Sequence, residues 1–522
     1  MSAGPEGEWR RLDPRTLLVT AAVFCGIAVG AGVPVAAGLA GGRPLWQAVA
    51  WVLAGAALLV GGGTVADWVR CRRTRYRIGP DRIELHTGLL LLKRRSLARD
   101  RIRSVDLTAN PLQRVPGLVK VRIGTGESTG GGESTLELEL VTRAEGERLR
   151  RALLTRPAEA ADPAHDGTLA VLDPRWIRYA PVSFVAPALG GAAAGAVMQV
   201  SEWFGAQAEV IDWIGDRFAS VSLTWMIVDL VLLATLAGAV GALGLWIEMW
   251  WNFRLEREPG GTLRVRRGLF TARSVTLEER RLRGVERVEP LGVRLFGAAR
   301  LDAVATGLTE DDDEKHTDLK ALLPAAPRAV TDRVAAEVLR EPEPPTSAPL
   351  TAHPRAARTR RLRWALAAVL LPAAVLALLG ALLTPTLLYV AAGWTVVLAP
   401  LAVLLARDAY RSLGHTVSGG YLVTRSGTVR RATVALQRTG IIGWTVKQSY
   451  FQRRAGILTV TATTAAGEGA YDVLDTGESQ GLALADRAVP GLLAPFLVPA
   501  DAPADAPAEV PGRTPEARPT SR

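Results

Sequence analysis

The chain has 522 residues, enough for several domains, and a mean hydropathy of +0.17 although 22% of its residues are charged. Long uncharged apolar runs alternate with charge-rich stretches, a pattern that points to membrane spans joined to soluble domains. The net charge of +11 is mostly arginine and suits the flanks of spans, so nucleic-acid binding is not read from it; two cysteines, Cys25 and Cys71, exclude a disulfide framework or a paired-cysteine metal site.

Along the chain, six stretches reach the roughly 20 apolar residues that a spanning helix needs. They are 16–39, 45–66, 180–200, 225–247, 364–383 and 386–406, in three pairs. Arg10, Arg11 and Arg15 precede the first run. Signal-peptide cores are shorter, about 7–15 residues, and a second run follows at once, so a retained hairpin is expected. Arg70, Arg72, Arg73, Arg75 and Arg77 follow the second run, and Arg355, Arg358, Arg360, Arg361 and Arg363 precede the fifth. Between the third and fourth, Glu202, Glu209, Asp212 and Asp216 face only Arg217. The positive-inside rule then places both termini and all long soluble segments in the cytoplasm, a setting that agrees with the scarcity of cysteine.

Each hairpin is followed by a soluble segment, and the three segments repeat one another. The first has GLLLLKRRSLARDRIRSV from Gly88, the second GLFTARSVTLEERRLRGV from Gly268 and the third GTVRRATVALQRTGIIGW from Gly427. Constant spacing from these glycines leads to Ile102, Leu282 and Ile441, then to Arg114, Arg294 and Arg453, then to Gly117, Gly297 and Gly456. Gln113 and Gln452 also match, whereas the second copy has Val293. Alternating runs such as RIELHTGLLLLKRRSL, VKVRIGTG and TLELELVT read as strands. Helical patterns close the copies at 144–154, 329–340 and 481–493, the last weakened by Pro490. Short antiparallel strands and one helix suggest a small barrel or curled sheet, with the helix over its apolar face.

On Tyr76, the Gly88 turn, the basic RDRIRSV at 99–105 and NPLQRVPGLVKVRI at 110–123, the chain resembles bacterial membrane proteins with pleckstrin-homology-like (PH) domains, of the YdbT type. The resemblance implies a membrane α + β fold: three transmembrane helical hairpins, each followed by a cytoplasmic PH-like antiparallel sheet with a C-terminal helix. The expected division is an N-terminal segment with hairpin 1 (1–69), PH-like unit 1 (70–156), a linker (157–179), hairpin 2 (180–250), unit 2 (251–340), a linker (341–362), hairpin 3 (363–408), unit 3 (409–497) and a disordered tail (498–522) whose composition has too little apolar content to pack.

Lys93, Arg94, Arg95, Arg99, Arg101 and Arg103 form a basic strand-and-turn surface. Beside anionic lipid each exposed cation adds about 1 kcal/mol of attraction; the alternative is a solvated strand face. The Gln-Arg and Gly repeat is read either as a docking surface or, preferably, as structure, with glycine permitting a bulge and arginine meeting a local carboxylate. Asp229 sits at the start of a span and is either an intramembrane functional group or an interfacial one. TEDDDEKHTD at 309–318 reads as a solvated loop rather than a cation site. Gly26/Gly30 and Gly191/Gly195 have spacings that suit close helix packing. The five histidines show no metal spacing, and no catalytic motif, metal site or cofactor site emerges.

The expected function is a membrane scaffold whose PH-like units contact anionic lipid and a membrane-protein partner, with self-association a further form of assembly. The resemblance and the location suggest envelope stress or antimicrobial resistance. The rival is transport through the six spans, with Asp229 and Glu202 lining a polar cavity; an enzyme comes third.

Overall fold

The computed structural model describes residues 9–496 except 43, 80, 88–92, 100–101, 103, 125–134, 155–166, 183–184, 204, 219–221 and 307–319. Strand β1 (Arg10–Arg11) precedes helix α1 (Thr16–Ala40), which packs on α2 (Leu45–Arg73). Unit 1 then runs β2 (Arg75–Ile78), β3 (Arg82–Thr87), β4 (Lys93–Ala98), β5 (Ser104–Ala109), the short helix α3 (Pro111–Arg114), β6 (Leu118–Gly124), β7 (Thr135–Thr142) and α4 (Arg143–Leu154). Unit 2 opens with β8 (Gly167–Val171), α5 (Val185–Trp203), α6 (Gln207–Phe218) and α7 (Leu223–Trp250). It continues through β9 (Arg254–Glu258), β10 (Thr262–Arg267), β11 (Ala272–Glu278), β12 (Leu282–Pro290), α8 (Leu291–Leu295), β13 (Ala298–Ala305), β14 (Ala321–Pro327) and α9 (Arg328–Leu339). Unit 3 follows α10 (Arg355–Leu382) and α11 (Pro385–Arg411) with β15 (Gly414–Ser418), β16 (Tyr421–Ser426), β17 (Arg430–Gln437), β18 (Ile441–Lys447), α12 (Tyr450–Arg454), β19 (Ile457–Thr464), β20 (Ala470–Gly477) and α13 (Glu478–Ala488).

Among the described residues, five helices are long and apolar enough to cross a membrane: those holding Thr16–Ala36, Leu45–Arg73, Thr224–Trp250, Arg355–Leu382 and Pro385–Arg411. The expected third span, α5, is not among them; Gln199, Ser201 and Glu202 interrupt its apolar run. It nonetheless packs on α7 at very short range. A Cβ on Gly190 would lie 2.0 Å from the Ala234 carbonyl oxygen, and one on Gly238 would lie 1.9 Å from that of Ala186. The glycines singled out by spacing, Gly26, Gly30, Gly191 and Gly195, meet nothing within 4 Å. Between α5 and α7, the acidic connection forms α6, with Ile211 and Trp213 exposed. Val210, Trp213 and Ile214 share one face of α6, an apolar stripe that suits a helix lying in a membrane interface.

The sheets cross the boundaries between units. The leading sheet of a unit is β2-β3-β4 in unit 1, β8-β9-β10-β11 in unit 2 and β15-β16-β17 in unit 3, and the last three strands of each unit form its trailing sheet. The trailing strands β7-β6-β5 continue into β11-β10-β9-β8, giving one seven-stranded sheet. Likewise β14-β13-β12 continue into β17-β16-β15. Only the ends stand apart, as β1-β2-β3-β4 and β18-β19-β20. Both junctions are antiparallel and share one register. Leu107 pairs with Ser274 and Arg287 with Thr433; Leu107 and Arg287 each follow their copy's turn glycine by nineteen residues (107−88, 287−268), and Ser274 and Thr433 by six (274−268, 433−427).

Alternation buries the cores. In β6, Val119, Val121 and Ile123 point inward, while Lys120 and Arg122 point outward to Glu137. Val105, Leu138 and Leu149 of α4 complete that core; each fully buried Leu or Val stabilises by about 1.5–3 kcal/mol. The turn glycines are required by shape: Gly268 has φ +111° and a Cβ there would sit 1.9 Å from the Thr271 carbonyl oxygen, with Gly427 close to the same geometry. Gly88 lies outside the described residues. So do the acidic loop at 309–318 and the tail. Within the stretches expected as linkers, Gly167–Val171 is strand β8, a 3-10 turn at Pro174–Tyr179 buries Trp176 and Tyr179, and His353 is buried.

Candidate functional site

The basic strand expected as a lipid surface is divided by its own pleat. Arg94 is exposed, while Arg95 shares a face with the buried Leu97. Arg99 turns back and donates to the Ala152 carbonyl at the end of α4, a structural task. Lys93 lies in β4 but its side chain, like Arg101 and Arg103, is outside the described residues. Of the six positions, Arg94, Arg95 and Arg99 are the ones whose side chains are described.

The repeated Gln-Arg motif has a physical origin. Gln113 and Gln452 each close a capping box on a short helix, α3 from Asn110 and α12 from Ser449. Pro290 begins the second copy's helix, so Val293 has no cap to make. Gly117, Gly297 and Gly456 follow with φ +76°, +67° and +63°, the left-handed turn that starts the next strand. The arginines were expected to meet a carboxylate within their own unit. Instead they reach the next one. Arg114 Nη1 donates to the Leu269 carbonyl, and to that of Phe270 at 3.3 Å, in unit 2's turn. Glu248 of α7 holds the same turn by accepting from the Phe270 and Thr271 amides at 2.8 Å. Arg294 pairs with Asp408 of α11 at 2.7 Å. Arg453 is exposed and makes no side-chain hydrogen bond or ion pair among the described residues.

Between units 1 and 2 the joint leaves a cleft of about 850 Å³. Its lining includes Arg114 and Arg143 from unit 1 and Arg254, Arg266, Arg267 and Arg273 from unit 2. Trp251 and Asn252, directly after α7, also line it, which sets the cleft at the end of a membrane-crossing-length helix. Arg267 is buried with its guanidinium 4.4 Å from the Trp250 ring centroid, a cation–π contact. Arg264 is committed to the joint, at 2.7 Å from Glu147 and 3.0 Å from Glu258, and Arg150 meets Glu258 at 2.7 Å. Burial alone would raise Glu147 and Glu258, but these arginines hold both carboxylates below their usual range. Arg143 and Arg266 are exposed and make no side-chain hydrogen bond or ion pair among the described residues. An anionic group is the complement of such a lining. The signal lay in RLEREPGGTLRVRRGLFTAR at 254–273, with arginine at six of its positions, but its partners from unit 1 are distant in sequence.

Asp229 lies in the second turn of α7, exposed and without a hydrogen bond or ion pair among the described residues. Asp67 near the end of α2 was not singled out. It is buried, accepts from Thr20 at 2.6 Å and pairs with Arg70, which also reaches Glu139 of β7 at 2.7 Å. No group of three or more potential metal ligands occurs among the described residues.

The bacterial PH domain family matches residues 22–156 and 366–488, so the second unit falls outside both matches. A transmembrane protein of Bacillus subtilis (strain 168), YdbT, is 23% identical over 419 residues, covering 76% of this chain and 81% of that protein. No solved structure matches the chain. These matches, with the apolar helices and antiparallel sheets, identify the chain as a transmembrane protein carrying bacterial PH domains.

Proposed function

We propose that the chain is a binding scaffold of the bacterial cytoplasmic membrane, not an enzyme or a transporter. Its termini and units face the cytoplasm, and α5 completes a middle hairpin with α7 as a sixth span. The cleft between units 1 and 2 holds the phosphate of an anionic lipid headgroup. The observation that carries this reading is the arginine lining beside Trp251, at the end of α7. Cations at a membrane surface attract anionic lipid at about 1 kcal/mol each. A transport pathway has no comparable feature: Asp229 is not gathered with other polar groups among the described residues. Envelope stress or antimicrobial resistance is the process the family resemblance suggests.

The test is native mass spectrometry of the full chain released from nanodiscs of phosphatidylcholine with one-fifth phosphatidylglycerol. Arg143→Ala with Arg266→Ala is expected to lower the affinity of retained phosphatidylglycerol by about 2 kcal/mol, roughly thirtyfold. Equal retention by the variant and the parent chain would sink the assignment of the cleft.

A further inference from the structure

Each junction draws on three parts of the preceding unit. One is the edge strand of its trailing sheet, one a side chain nineteen residues after the turn glycine, and one the motif arginine. At the first junction these are β5, Leu107 and Arg114; at the second, β12, Arg287 and Arg294. Unit 3 has the same three parts, β18, Val446 and Arg453, and among the described residues no further unit is joined to them. Among the described residues, the outer edge of β18 and the side chains of Val446 and Arg453 meet no equivalent partner. β18 is the outer strand of its sheet. Val446 is 43% exposed, against 6% for Leu107 and 1% for Arg287. Ile442 is 62% exposed, and Tyr450 and Phe451 beside Arg453 are exposed as well. A regular edge strand with apolar side chains is a template for strand addition unless something covers it.

We infer that β18 is the docking edge for the leading sheet of a PH-like unit carried by a separate membrane polypeptide. A second copy of this chain fits poorly. The shared register would set Val446 opposite Arg94, Thr445 opposite Arg95 and Lys447 opposite Lys93. Two cations directly opposed are unfavourable. At the position of Thr445, β5 and β12 carry the carboxylates Asp106 and Glu286. β18 therefore brings no acid to three consecutive cations. Arg453 would also need an acceptor at the end of the incoming span, as Arg294 has in Asp408. The copy's Asp67 is already bound to Thr20 and Arg70. The fitting occupant has an outer strand without cations, as β17 has with Ala432, Thr433 and Val434, and an acceptor for Arg453 near its membrane helix.

Lys93→Ala, Arg94→Thr and Arg95→Val together give β4 the residues of β17 at these positions. In detergent, light scattering is expected to find the parent chain monomeric and this variant associated head to tail, with at least a doubled mass. Adding Val446→Lys should restore the parent mass. Self-association of the parent chain that Val446→Lys abolishes would overturn the choice of a separate polypeptide. A triple variant that stays monomeric, with its unfolding midpoint intact, would overturn the edge itself. Should the triple variant not fold, a labelled peptide of residues 427–438, spanning β17, is titrated onto the parent chain. Binding should weaken at least about tenfold in Val446→Lys; no binding, or binding indifferent to that change, refutes the proposal.

Discussion

The two junctions between units begin from equivalent residues and end as different objects. At the second, seven residue pairs zip β12 to β17, and ion pairs close the seam, Arg430 with Glu286 and Arg431 with Glu289, both at 2.8 Å; behind it, within unit 2, Arg287 of β12 meets Asp332 of α9 at 2.5 Å. At the first, three pairs join β5 to β11, the ion pairs lie to one side at Arg150, Glu147, Glu258 and Arg264, and an arginine-lined cleft stays open. One backbone operation has thus been used for a sealed joint and for a joint with room for a ligand. Charge balance makes the difference. The second seam matches its arginines with carboxylates, whereas the first leaves Arg143 and Arg266 exposed.

Breaking the sealed joint should cost the most. Arg287 is 1% exposed and lies between Asp332 and Glu289. Burial alone would raise Glu289; the hydrogen bond from Arg431 and the charge of Arg287 hold it below the usual range instead. Arg287→Ala leaves the buried Glu289 and the half-buried Asp332 short of a partner, and such losses cost about 3–5 kcal/mol. Thermal unfolding in detergent and amide exchange across β12 and β17 should both register it. Arg266→Ala, on the open joint, should leave both unchanged. Equal losses in the two variants would erase the distinction.

The first joint has its own buried charge. Asp106 is buried, and its pKa is pushed up to about 7 because desolvation outweighs the Arg122 charge and the Thr276 amide. The folded chain therefore binds this proton more tightly than the unfolded chain. Its contribution is full below about pH 4 and is lost as pH rises through about 7. Asp106→Asn should remove that slope and stabilise the joint by about 2–4 kcal/mol above pH 7. Unit 3 should lean the other way. His415 is buried 2.9 Å from His353, and burial with that neighbour pushes its pKa down to about 4. Its contribution is present above about pH 6.5 and is lost as pH falls through about 4. Amide exchange resolved by region should show slopes of opposite sign in β5–β11 and β15–β16 between these limits. Slopes of one sign in both would refute the assignment.

Five of the six expected spans, the recurring landmarks and the strand runs were legible because each is a periodic or spaced property of contiguous residues. The partition of the sheets was not. A strand pairs with a neighbour through its backbone, and ARSVTLE or RRATVALQ looks the same whether its next strand belongs to its own unit or to the previous one. Helix phase was hidden for a related reason. α5 and α7 hold so many small residues that spacing selects Gly191 and Gly195, whereas the contact runs through Gly190 and Gly238. The cleft needed both failures repaired, since its arginines come together only once unit 1 lies against unit 2. The motif arginines were visible, but their reach into the following unit required knowing that a following unit touches them.

Those three arginines allow the finest test, because one change can be made at equivalent places with three different surroundings. Arg294→Ala strands the partly exposed Asp408 and should lower stability by about 1–2 kcal/mol. Arg114→Ala removes hydrogen bonds to two turn carbonyls that water can replace, so about 0.5–1 kcal/mol is expected. Arg453→Ala should cost nothing measurable in the isolated chain, since nothing among the described residues receives that side chain. A graded series read from detergent unfolding would mean that the repeat retains arginine for the unit that comes next. Equal losses at all three would return the motif to a role inside its own unit. The third value carries the most information: a cost at Arg453 can arise only from a partner within the chain, and its absence leaves the guanidinium available to a neighbour from outside.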